Sequence, residues 1–277
     1  MSNESDRSSA ARCWQESPVA SRELLEWLNA HPRQNGSGRR ESLQQARLQR
    51  LRRERLDKPV IFVGTGTCGL GAGAGKTLQA VRECLEKNNL RAEVIQVGCI
   101  GMCSYEPLLD VQFPGKARLA LAKVTADRVP EVLAAVFSGQ LPPVPVLGQY
   151  RQPGQDLWQS VPFLDQHPFF EKQTRCVLAN CGIVDPSQID EYIARGGYSA
   201  LADAFLHKTP QQICELVETS GLRGRGGGGF PTGQKWRFAL NTGSEQKYLV
   251  CNADEGDPGA FMDRAVIEGD PHRLLEG

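Results

Sequence analysis

The sequence predicts an α/β protein built from two successive α/β regions. The first observation is an apolar stretch, residues 59–63, which indicates a buried strand and leads into a glycine-rich turn. The second is a helical pattern over 76–88, which separates that strand from another at 91–97. The third is a later region, 185–251, in which helix-start signals precede a further apolar strand. This alternation predicts sheets covered by helices.

Composition excludes several classes of protein. The chain has 277 residues, with 32 basic and 32 acidic side chains, and this zero formal charge argues against a dedicated nucleic-acid binder. No apolar stretch is long enough for a transmembrane helix, and the N-terminus lacks the apolar core of a signal peptide. We therefore expect a cytoplasmic protein without direct membrane insertion. Nine cysteines, an odd number, favour metal or cluster ligation over a disulfide scaffold.

Residues 1–57 are predicted to form a helical, polar leader. A short amphipathic helix is expected at 21–29, a loose Gly/Ser-rich segment at 34–39, and an arginine-rich helix with a leucine stripe at 41–56. The last helix has two interpretations, a solvated helix with one apolar stripe or a helix that docks a partner.

Residues 58–141 are predicted to form the first domain. After the strand at 59–63 and the helix at 76–88, further strands are expected at 91–97, 108–111 and 119–124, and a closing helix at 127–137. This β-α-β-β-β-α order fits a thioredoxin-like domain. Four prolines then predict an extended linker over 142–155.

The glycine turn after the first strand allows three interpretations. Gly64, Gly66 and Gly69 match the G-x-G-x-x-G pattern of dinucleotide sites, with Glu86 near the position of a ribose-binding acid. Residues 71–77 imitate a phosphate-binding loop but are one residue too short for it. The third interpretation depends on the cysteines.

Three cysteines, Cys68, Cys99 and Cys103, follow the first two predicted strands. In a β-α-β unit these two turns emerge at one edge of the sheet, so the thiols are expected to converge as metal ligands. The pattern resembles thioredoxin-like [2Fe–2S] ferredoxins. That family has C-x₄-C before C-x₃-C, whereas here the earlier position falls at Val63 or Gly64. The alternatives are a [2Fe–2S] cluster and a domain that keeps the fold without the cofactor.

A second glycine run, residues 221–230, predicts a cradle for a phosphate group and a planar ring. Glycines remove Cβ atoms and expose N–H donors, while Arg225 and Lys235 add positive charge. Phe230 and Phe238 are spaced to present aromatic faces near the same pocket, or to pack in a core. A single RGG box of the RNA-binding kind is the weaker alternative, because such boxes act as repeats.

Polar side chains follow the strand predicted at 247–251. Asn252, Asp254 and Glu255 can accept hydrogen bonds from ribityl or ribose hydroxyls at the carboxyl end of a strand. A divalent metal site is the alternative interpretation.

Together, GLRGRGGGGFPTGQKW at 221–236, YLVCNADEGDPGAFMD at 248–263 and EGDPH at 268–272 resemble the FMN-bearing NADH-oxidising subunit of respiratory complex I. They are most similar to its relatives in soluble NAD-linked hydrogenases and formate dehydrogenases. The resemblance covers residues 58–277. Asp257 replaces a glutamate that is usual in the complex I form. The fused thioredoxin-like domain also favours the soluble branch.

This resemblance implies a fold, a set of contacts and a reaction. Residues 156–277 would be the N-terminal part of a Rossmann-like FMN/NADH-binding domain, cut short, with a [4Fe–4S] site only in the missing C-terminal part. The implied FMN contacts are Gly224, Arg225, Gly226, Lys235, Asn252, Asp254 and Glu255. The implied NAD(H) contacts are Gly227, Phe230, Phe238 and Asp257.

The implied function is NADH:acceptor oxidoreduction in a multisubunit redox complex. Hydride passes from NADH to FMN, and electrons then leave singly through iron–sulfur clusters. No general acid or base is implied, because the protein orients and tunes the flavin. The alternatives are a truncated, inactive fragment and a ferredoxin-like electron-carrier or docking module.

Overall fold

A computed structural model describes residues 39–244 and 246–277. The helix predicted at 21–29 lies outside these residues. Within them the chain divides into a larger unit, residues 39–195 with 254–277, and a smaller unit, residues 196–244 with 246–253. Each unit is described by itself.

The larger unit contains a five-stranded mixed sheet in the order β2-β1-β3-β4-β5. Its strands are β1 (Val60–Gly64), β2 (Glu93–Val97), β3 (Leu109–Gln112), β4 (Leu119–Leu121) and β5 (Val146–Gln149). β1 and β2 are parallel, and every other neighbouring pair is antiparallel. The first four strands and the helices after β1 and β4 have the predicted thioredoxin-like order, so the predicted α/β class is confirmed.

The helices fall into two groups. The larger unit has α1 (Arg39–Leu51), α2 (Thr67–Gly71), α3 (Ala74–Lys87), α4 (Val129–Phe137), α5 (Ile189–Ala194), α9 (Met262–Gly269) and α10 (Pro271–Glu276). The smaller unit has α6 (Ser199–His207), α7 (Pro210–Thr219) and α8 (Thr232–Asn241). The helix predicted at 41–56 is therefore shorter at its C-terminal end.

The main core lies between one face of the sheet and helices α3 and α4. Val81 of α3 and Leu133 of α4 are fully buried and belong to one apolar cluster with Ile61, Val63 and Leu119 of the strands. In α3 the buried apolar residues follow the 3.6-residue period of a helix. Because each such side chain contributes about 1.5–3 kcal/mol when buried, this face holds the sheet and both helices together.

The other face of the sheet carries a buried ion pair. Arg118, which directly precedes β4, binds Asp110 of β3 at 2.7 Å, and its guanidinium also donates to the carbonyl oxygen of Gly182 at 2.7 Å. The guanidinium carbon lies 3.5 Å from the ring centroid of Phe62 and 4.6 Å from that of Tyr150. Arg118 thus joins β1 and β3 to Tyr150 and Gly182, which lie beyond the last strand in the chain.

Residues 142–155, predicted as a linker, contribute the fifth strand. β5 pairs with β4 in an antiparallel register that matches Leu119 with Gln149 and Leu121 with Val146. The prolines at 142, 143 and 145 precede the strand, so they remove no N–H from its ladder. The division between units also falls later, after Arg195. The domain boundaries predicted near 141 and 155 stay predictions.

The smaller unit confirms one sequence signal and contradicts another. The Thr209 hydroxyl accepts the N–H of Gln212, and the Gln212 side chain accepts the N–H of Thr209, so a capping box begins α7 and is one of the helix-start signals expected within 185–251. The strand predicted at 247–251 is wrong, because these residues have no regular structure and Leu249 is 99% exposed. In the described chain no neighbouring strand supplies the ladder that an extended segment requires.

Candidate functional site

The three cysteines lie at one edge of the sheet. Cys68 is in α2, directly after β1, and Cys99 and Cys103 follow β2. Because β1 and β2 are parallel, both turns leave the sheet on the same side. The three sulfur atoms lie within 4.8 Å of one another, and those of Cys99 and Cys103 are 3.6 Å apart. The structure therefore brings together the three predicted metal ligands.

Glycines make this convergence possible. A Cβ atom on Gly69 would lie 2.2 Å from the carbonyl oxygen of Gly64, so only glycine fits in the turn that carries Cys68. A Cβ atom on Gly66 would lie 3.1 Å from the backbone nitrogen of Cys99. The backbone N–H of Gly101 also donates to the Cys99 sulfur at 3.2 Å. Such donors stabilise sulfur that carries negative charge.

Glu106 is a member of this site that sequence reasoning missed. Its side chain is only 3% exposed. Its Oε2 accepts the backbone N–H of Leu108 at 2.7 Å, and the thiol of Cys68 donates to Oε1 at 3.9 Å. Burial raises the pKa of Glu106 to about 7. The sequence signal that could have indicated Glu106 is its position three residues after Cys103. In the structure it follows a short 3₁₀ turn.

The thiols of Cys68 and Cys103 are disfavoured as anions when no cation lies beside them. The pKa of Cys68 is raised by its hydrogen bond with Cys99 and then by burial. Burial is also the main cause that raises the pKa of Cys103. A bound metal reverses this preference, because its positive charge deprotonates thiols. Three convergent sulfur donors are chemically suited to an iron–sulfur cluster or to a thiophilic ion.

Helix α9 packs beside the cysteine turns. A Cβ atom on Gly98 would lie 2.2 Å from the Cα of Gly269, so the backbones touch at a pair of glycines. Cys181 also lies here, and its thiol donates to the carbonyl oxygen of Ala265 at 3.5 Å. Burial raises the pKa of Cys181 to about 11, which indicates a structural thiol.

The second glycine run forms a tight loop between α7 and α8. The N–H of Gly224 donates to the carbonyl oxygen of Phe230 at 2.9 Å, and the N–H of Thr232 donates to that of Leu222 at 2.9 Å. Gly227 has a φ of 96°, a left-handed conformation that favours glycine. Cβ atoms added at Gly226, Gly227 or Gly228 would meet nothing within 4 Å. The loop therefore presents bare, open backbone.

Predicted cofactor-binding side chains surround this loop. The rings of Phe230 and Phe238 have centroids 6.3 Å apart. The ammonium nitrogen of Lys235 lies 5.8 Å from the Phe230 centroid and 3.8 Å from a Cβ built on Gly224. The Arg225 guanidinium donates instead to the carbonyl oxygen of Arg223. The structure thus brings Gly224, Phe230, Lys235 and Phe238 together.

The predicted polar group at 252–257 is divided between the two units. Asn252 belongs to the smaller unit, and Asp254, Glu255 and Asp257 belong to the larger one. The Glu255 carboxylate accepts the backbone N–H groups of Asp263 at 2.9 Å and Arg264 at 3.1 Å, so it caps the N-terminus of α9. The predicted approach of these residues to the glycine loop stays a prediction.

Comparison with known proteins assigns the segment that contains the loop. Residues 217–277 match the Nuo51 FMN-binding domain. The chain is similar to subunits of hydrogenases and of NADH-quinone oxidoreductases. Thus the loop, α8 and α9 all lie in the part that matches the Nuo51 domain.

These similar proteins match stretches of different length in the chain. It is 59% identical to the NADP-reducing hydrogenase subunit HndC of Solidesulfovibrio fructosivorans over 106 residues, 38% of this chain and 21% of that protein. It is 31% identical to the NAD-reducing hydrogenase HoxS subunit alpha of Cupriavidus necator over 232 residues, 80% of this chain and 35% of that one. It is 55% identical to an NADH-quinone oxidoreductase subunit of Aquifex aeolicus over 89 residues, which are 32% of this chain and 20% of that protein. The chain thus spans 20% to 35% of the length of these relatives.

Solved structures give weaker likenesses. A thioredoxin-like [2Fe–2S] ferredoxin from Aquifex aeolicus is 18% identical with a TM-score of 0.29, covering 36% of this chain and 100% of the ferredoxin. An NAD⁺-reducing [NiFe]-hydrogenase is 20% identical with a TM-score of 0.30, covering 96% of this chain and 42% of that one. Among the described residues, no helix combines the length and the apolar character that crossing a membrane requires.

Proposed function

We propose that this chain acts in a flavoprotein subunit that oxidises NADH, transfers hydride to FMN and passes electrons singly to iron–sulfur clusters. The observation that carries the proposal is the open glycine loop with Phe230 and Lys235 beside it, in a segment that matches the Nuo51 FMN-binding domain. Bare backbone of this kind accepts a flat ring or a phosphate, because no Cβ atom occupies the space.

The residues of the loop have distinct proposed roles. Gly224, Gly226 and Lys235 would hold FMN, with the ammonium group of Lys235 neutralising phosphate and the glycine backbone leaving room for the ring. Arg225, which donates to the Arg223 carbonyl oxygen, would supply a second positive charge for the phosphate. Asn252, Asp254 and Glu255 accept hydrogen bonds from the ribityl hydroxyls.

The NAD(H) contacts are proposed at a second set of residues. Gly227, Phe230, Phe238 and Asp257 orient the nicotinamide nucleotide, and no side chain acts as a general acid or base. Bound FMN supplies the chemistry, because it accepts two electrons as hydride and releases them one at a time. The protein contributes close approach and orientation.

The proposed setting is a cytoplasmic, multisubunit redox complex. The relatives are named as subunits of hydrogenases and of NADH-quinone oxidoreductases. The cysteine site of the thioredoxin-like domain would then receive or relay single electrons, and other subunits would carry them to the final acceptor. The resemblance to complex I flavoprotein subunits implies a [4Fe–4S] site only in a part of that family which this chain does not span.

Flavin binding tests the proposal directly. We would titrate the purified chain with FMN under anaerobic conditions, follow quenching of flavin fluorescence, and then add NADH and record bleaching of the bound flavin. The substitution Gly226→Val fills the open space without backbone strain, because Gly226 has no positive φ. We expect it to weaken FMN binding at least about tenfold, since a filled cradle excludes the ring.

A matched control is Gly243→Val in the same unit. Gly243 also has no positive φ and no atom within 4 Å of an added Cβ, but it lies outside the loop. It should leave FMN affinity unchanged. Equal FMN affinity in the Gly226→Val variant, or no FMN binding by the unmodified chain, would contradict the proposal.

A second candidate function is a ferredoxin-like electron carrier or docking module. The convergence of Cys68, Cys99 and Cys103 favours it independently of the glycine loop. Flavin titration separates the two functions, since a chain that holds an iron–sulfur cluster but takes up no FMN would support the carrier alone.

A further inference from the structure

The cysteine site lacks one ligand for an iron–sulfur cluster. A [2Fe–2S] cluster takes four protein ligands, two on each iron, and Cys68, Cys99 and Cys103 supply three. Among the described residues no other cysteine belongs to this group of convergent ligand atoms. The family pattern places the absent thiol at position 63 or 64. The structure shows what occupies the space beside those two positions.

Val63 does not face the site. It is fully buried in the apolar cluster beneath α3 and α4, on the opposite side of the strand. Gly64 does face it, because a Cβ atom built on Gly64 would lie 3.3 Å from both carboxylate oxygens of Glu106. The carboxylate therefore fills the space that a side chain at position 64 would enter. The side chain of a cysteine at position 64 and the carboxylate of Glu106 would therefore occupy the same space.

The orientation of Glu106 leaves one oxygen directed at the thiols. Oε2 accepts the N–H of Leu108 at 2.7 Å, so this oxygen has a structural role in the local turn. Oε1 faces the sulfur of Cys68 at 3.9 Å, and the side chain is almost fully buried. A role in capping the local turn explains the first contact but not the second.

The four donors form two pairs with suitable separations. The sulfurs of Cys99 and Cys103 are 3.6 Å apart, and the Cys68 sulfur is 3.9 Å from Glu106 Oε1. Tetrahedral coordination with bonds of about 2.3 Å places two ligands of one metal about 3.8 Å apart. Each pair therefore has the spacing that one iron of a two-iron cluster requires. A carboxylate also carries the same single negative charge as a thiolate, so the total ligand charge is unchanged.

We propose that the Glu106 carboxylate is the fourth ligand of a [2Fe–2S] cluster whose other ligands are the thiolates of Cys68, Cys99 and Cys103. This inference rests on the part of the proposed function that gives the thioredoxin-like domain a cluster, and it is independent of FMN and NADH. It assigns a coordination of three sulfurs and one oxygen to this site.

The test is anaerobic reconstitution of the full chain with ferrous iron and sulfide. The measurements are iron and acid-labile sulfide per chain, the visible absorption spectrum, and the EPR spectrum after reduction with dithionite. We expect about two irons and two sulfides per unmodified chain. The substitution Glu106→Gln keeps an oxygen that can accept the Leu108 N–H but removes the anionic ligand. We expect it to lower cluster content at least about tenfold.

Two double variants provide a matched comparison. G64C with E106A places a thiol where the carboxylate was, and G64A with E106A makes the same change of space without the sulfur. The first should recover the cluster and the second should not. Replacing oxygen by sulfur should also shift the g values and strengthen visible absorption per iron relative to the unmodified chain. Circular dichroism of each apo form checks folding.

The outcomes separate the inference from the proposed function. A cluster retained in full by Glu106→Gln and by G64A with E106A would overturn the role of Glu106 while leaving the cluster in place. Identical EPR spectra for the unmodified chain and for G64C with E106A would also overturn it, even if Glu106→Gln fails to fold. One metal ion per chain without sulfide would overturn the cluster itself, and FMN binding would be unaffected by that result.

Discussion

The carboxylate of Glu268 accepts a hydrogen bond from the backbone N–H of Thr67 at 2.8 Å, and it also accepts one from the Thr67 hydroxyl. These residues are 201 positions apart in the chain. Glu268 lies in the segment that matches the Nuo51 FMN-binding domain, and Thr67 immediately precedes Cys68. A side chain of the segment that matches the Nuo51 domain therefore supports the turn that carries Cys68, a predicted metal ligand.

Removal of this contact is expected to weaken metal binding at the cysteine site. In the Glu268→Ala variant, the Thr67 N–H loses its acceptor and the Cys68 turn loses its support. Loss of such an outer contact typically lowers metal affinity about tenfold to a hundredfold. Titration with Co²⁺, followed by its visible absorption, measures the affinity. Glu171→Ala, at an exposed position, is the control, and equal affinities for the two variants would contradict the role of Glu268.

The buried pair Arg118–Asp110 is expected to be costly to break. Arg118→Met leaves the Asp110 carboxyl buried without its partner, and loss of one member of a buried pair typically costs about 3–5 kcal/mol in the free energy of unfolding. Urea unfolding measures the loss. The exposed pair Lys58–Glu93 is the control, since Lys58→Ala should cost no more than about 1 kcal/mol. A loss below about 1 kcal/mol for Arg118→Met would contradict this expectation.

The smaller unit should lose stability in acid through the pair Glu218–Arg237, which joins α7 to α8 with bonds of 2.7 and 2.6 Å. The hydrogen bond from Arg237 lowers the pKa of Glu218 below its ordinary value of 4.5. Because the pKa is lower in the folded state, the stabilisation is complete above pH 4.5 and is lost as the pH falls through the folded-state pKa.

Thermal unfolding of the unmodified chain and of Glu218→Gln, from about pH 3 to about pH 8, checks this prediction. The unmodified chain should be the more stable of the two near neutral pH. The two melting curves should converge as the medium becomes acidic. A constant difference across the whole range would show that the pair contributes nothing through ionisation.

The glycine contact between the Cys99 turn and the end of α9 should tolerate no side chain. In Gly98→Ala the new Cβ would lie 2.2 Å from the Cα of Gly269, so one backbone must move. Overpacking of this kind typically costs about 1–3 kcal/mol. Gly71→Ala is the matched control, because its Cβ would meet nothing within 4 Å. Chemical unfolding of both variants measures the difference, and equal stability would argue against close packing at this contact.

Local signals in the sequence predicted the elements that depend on nearby residues. The apolar run at 59–63 and the helix after it are observed as β1 and α3, and the Thr209 capping box begins α7. The convergence of the three cysteines was also predictable, because parallel strands of a β-α-β unit end at the same edge. In each case the governing contacts lie within one element or between adjacent ones.

Signals that depend on distant partners were missed or misinterpreted. The apolar run at 247–251 resembles a strand, yet it has no ladder partner in the described chain. The proline-rich segment resembles a linker, yet its residues Val146–Gln149 pair with the edge of β4 as β5. Glu106 carries no recognisable motif, because its position depends on the space left beside Gly64.

The sequence by itself determined the α/β class, the helix starts and which thiols meet, because periodicity, capping and strand order are encoded locally. Only the tertiary structure decided that Glu106 stands beside those thiols and that Glu268 supports their turn. Both depend on backbone packing between segments far apart in the chain, where a missing Cβ at Gly64 or Gly98 sets the distance. A pattern of neighbouring residues in the sequence does not predict such a distance.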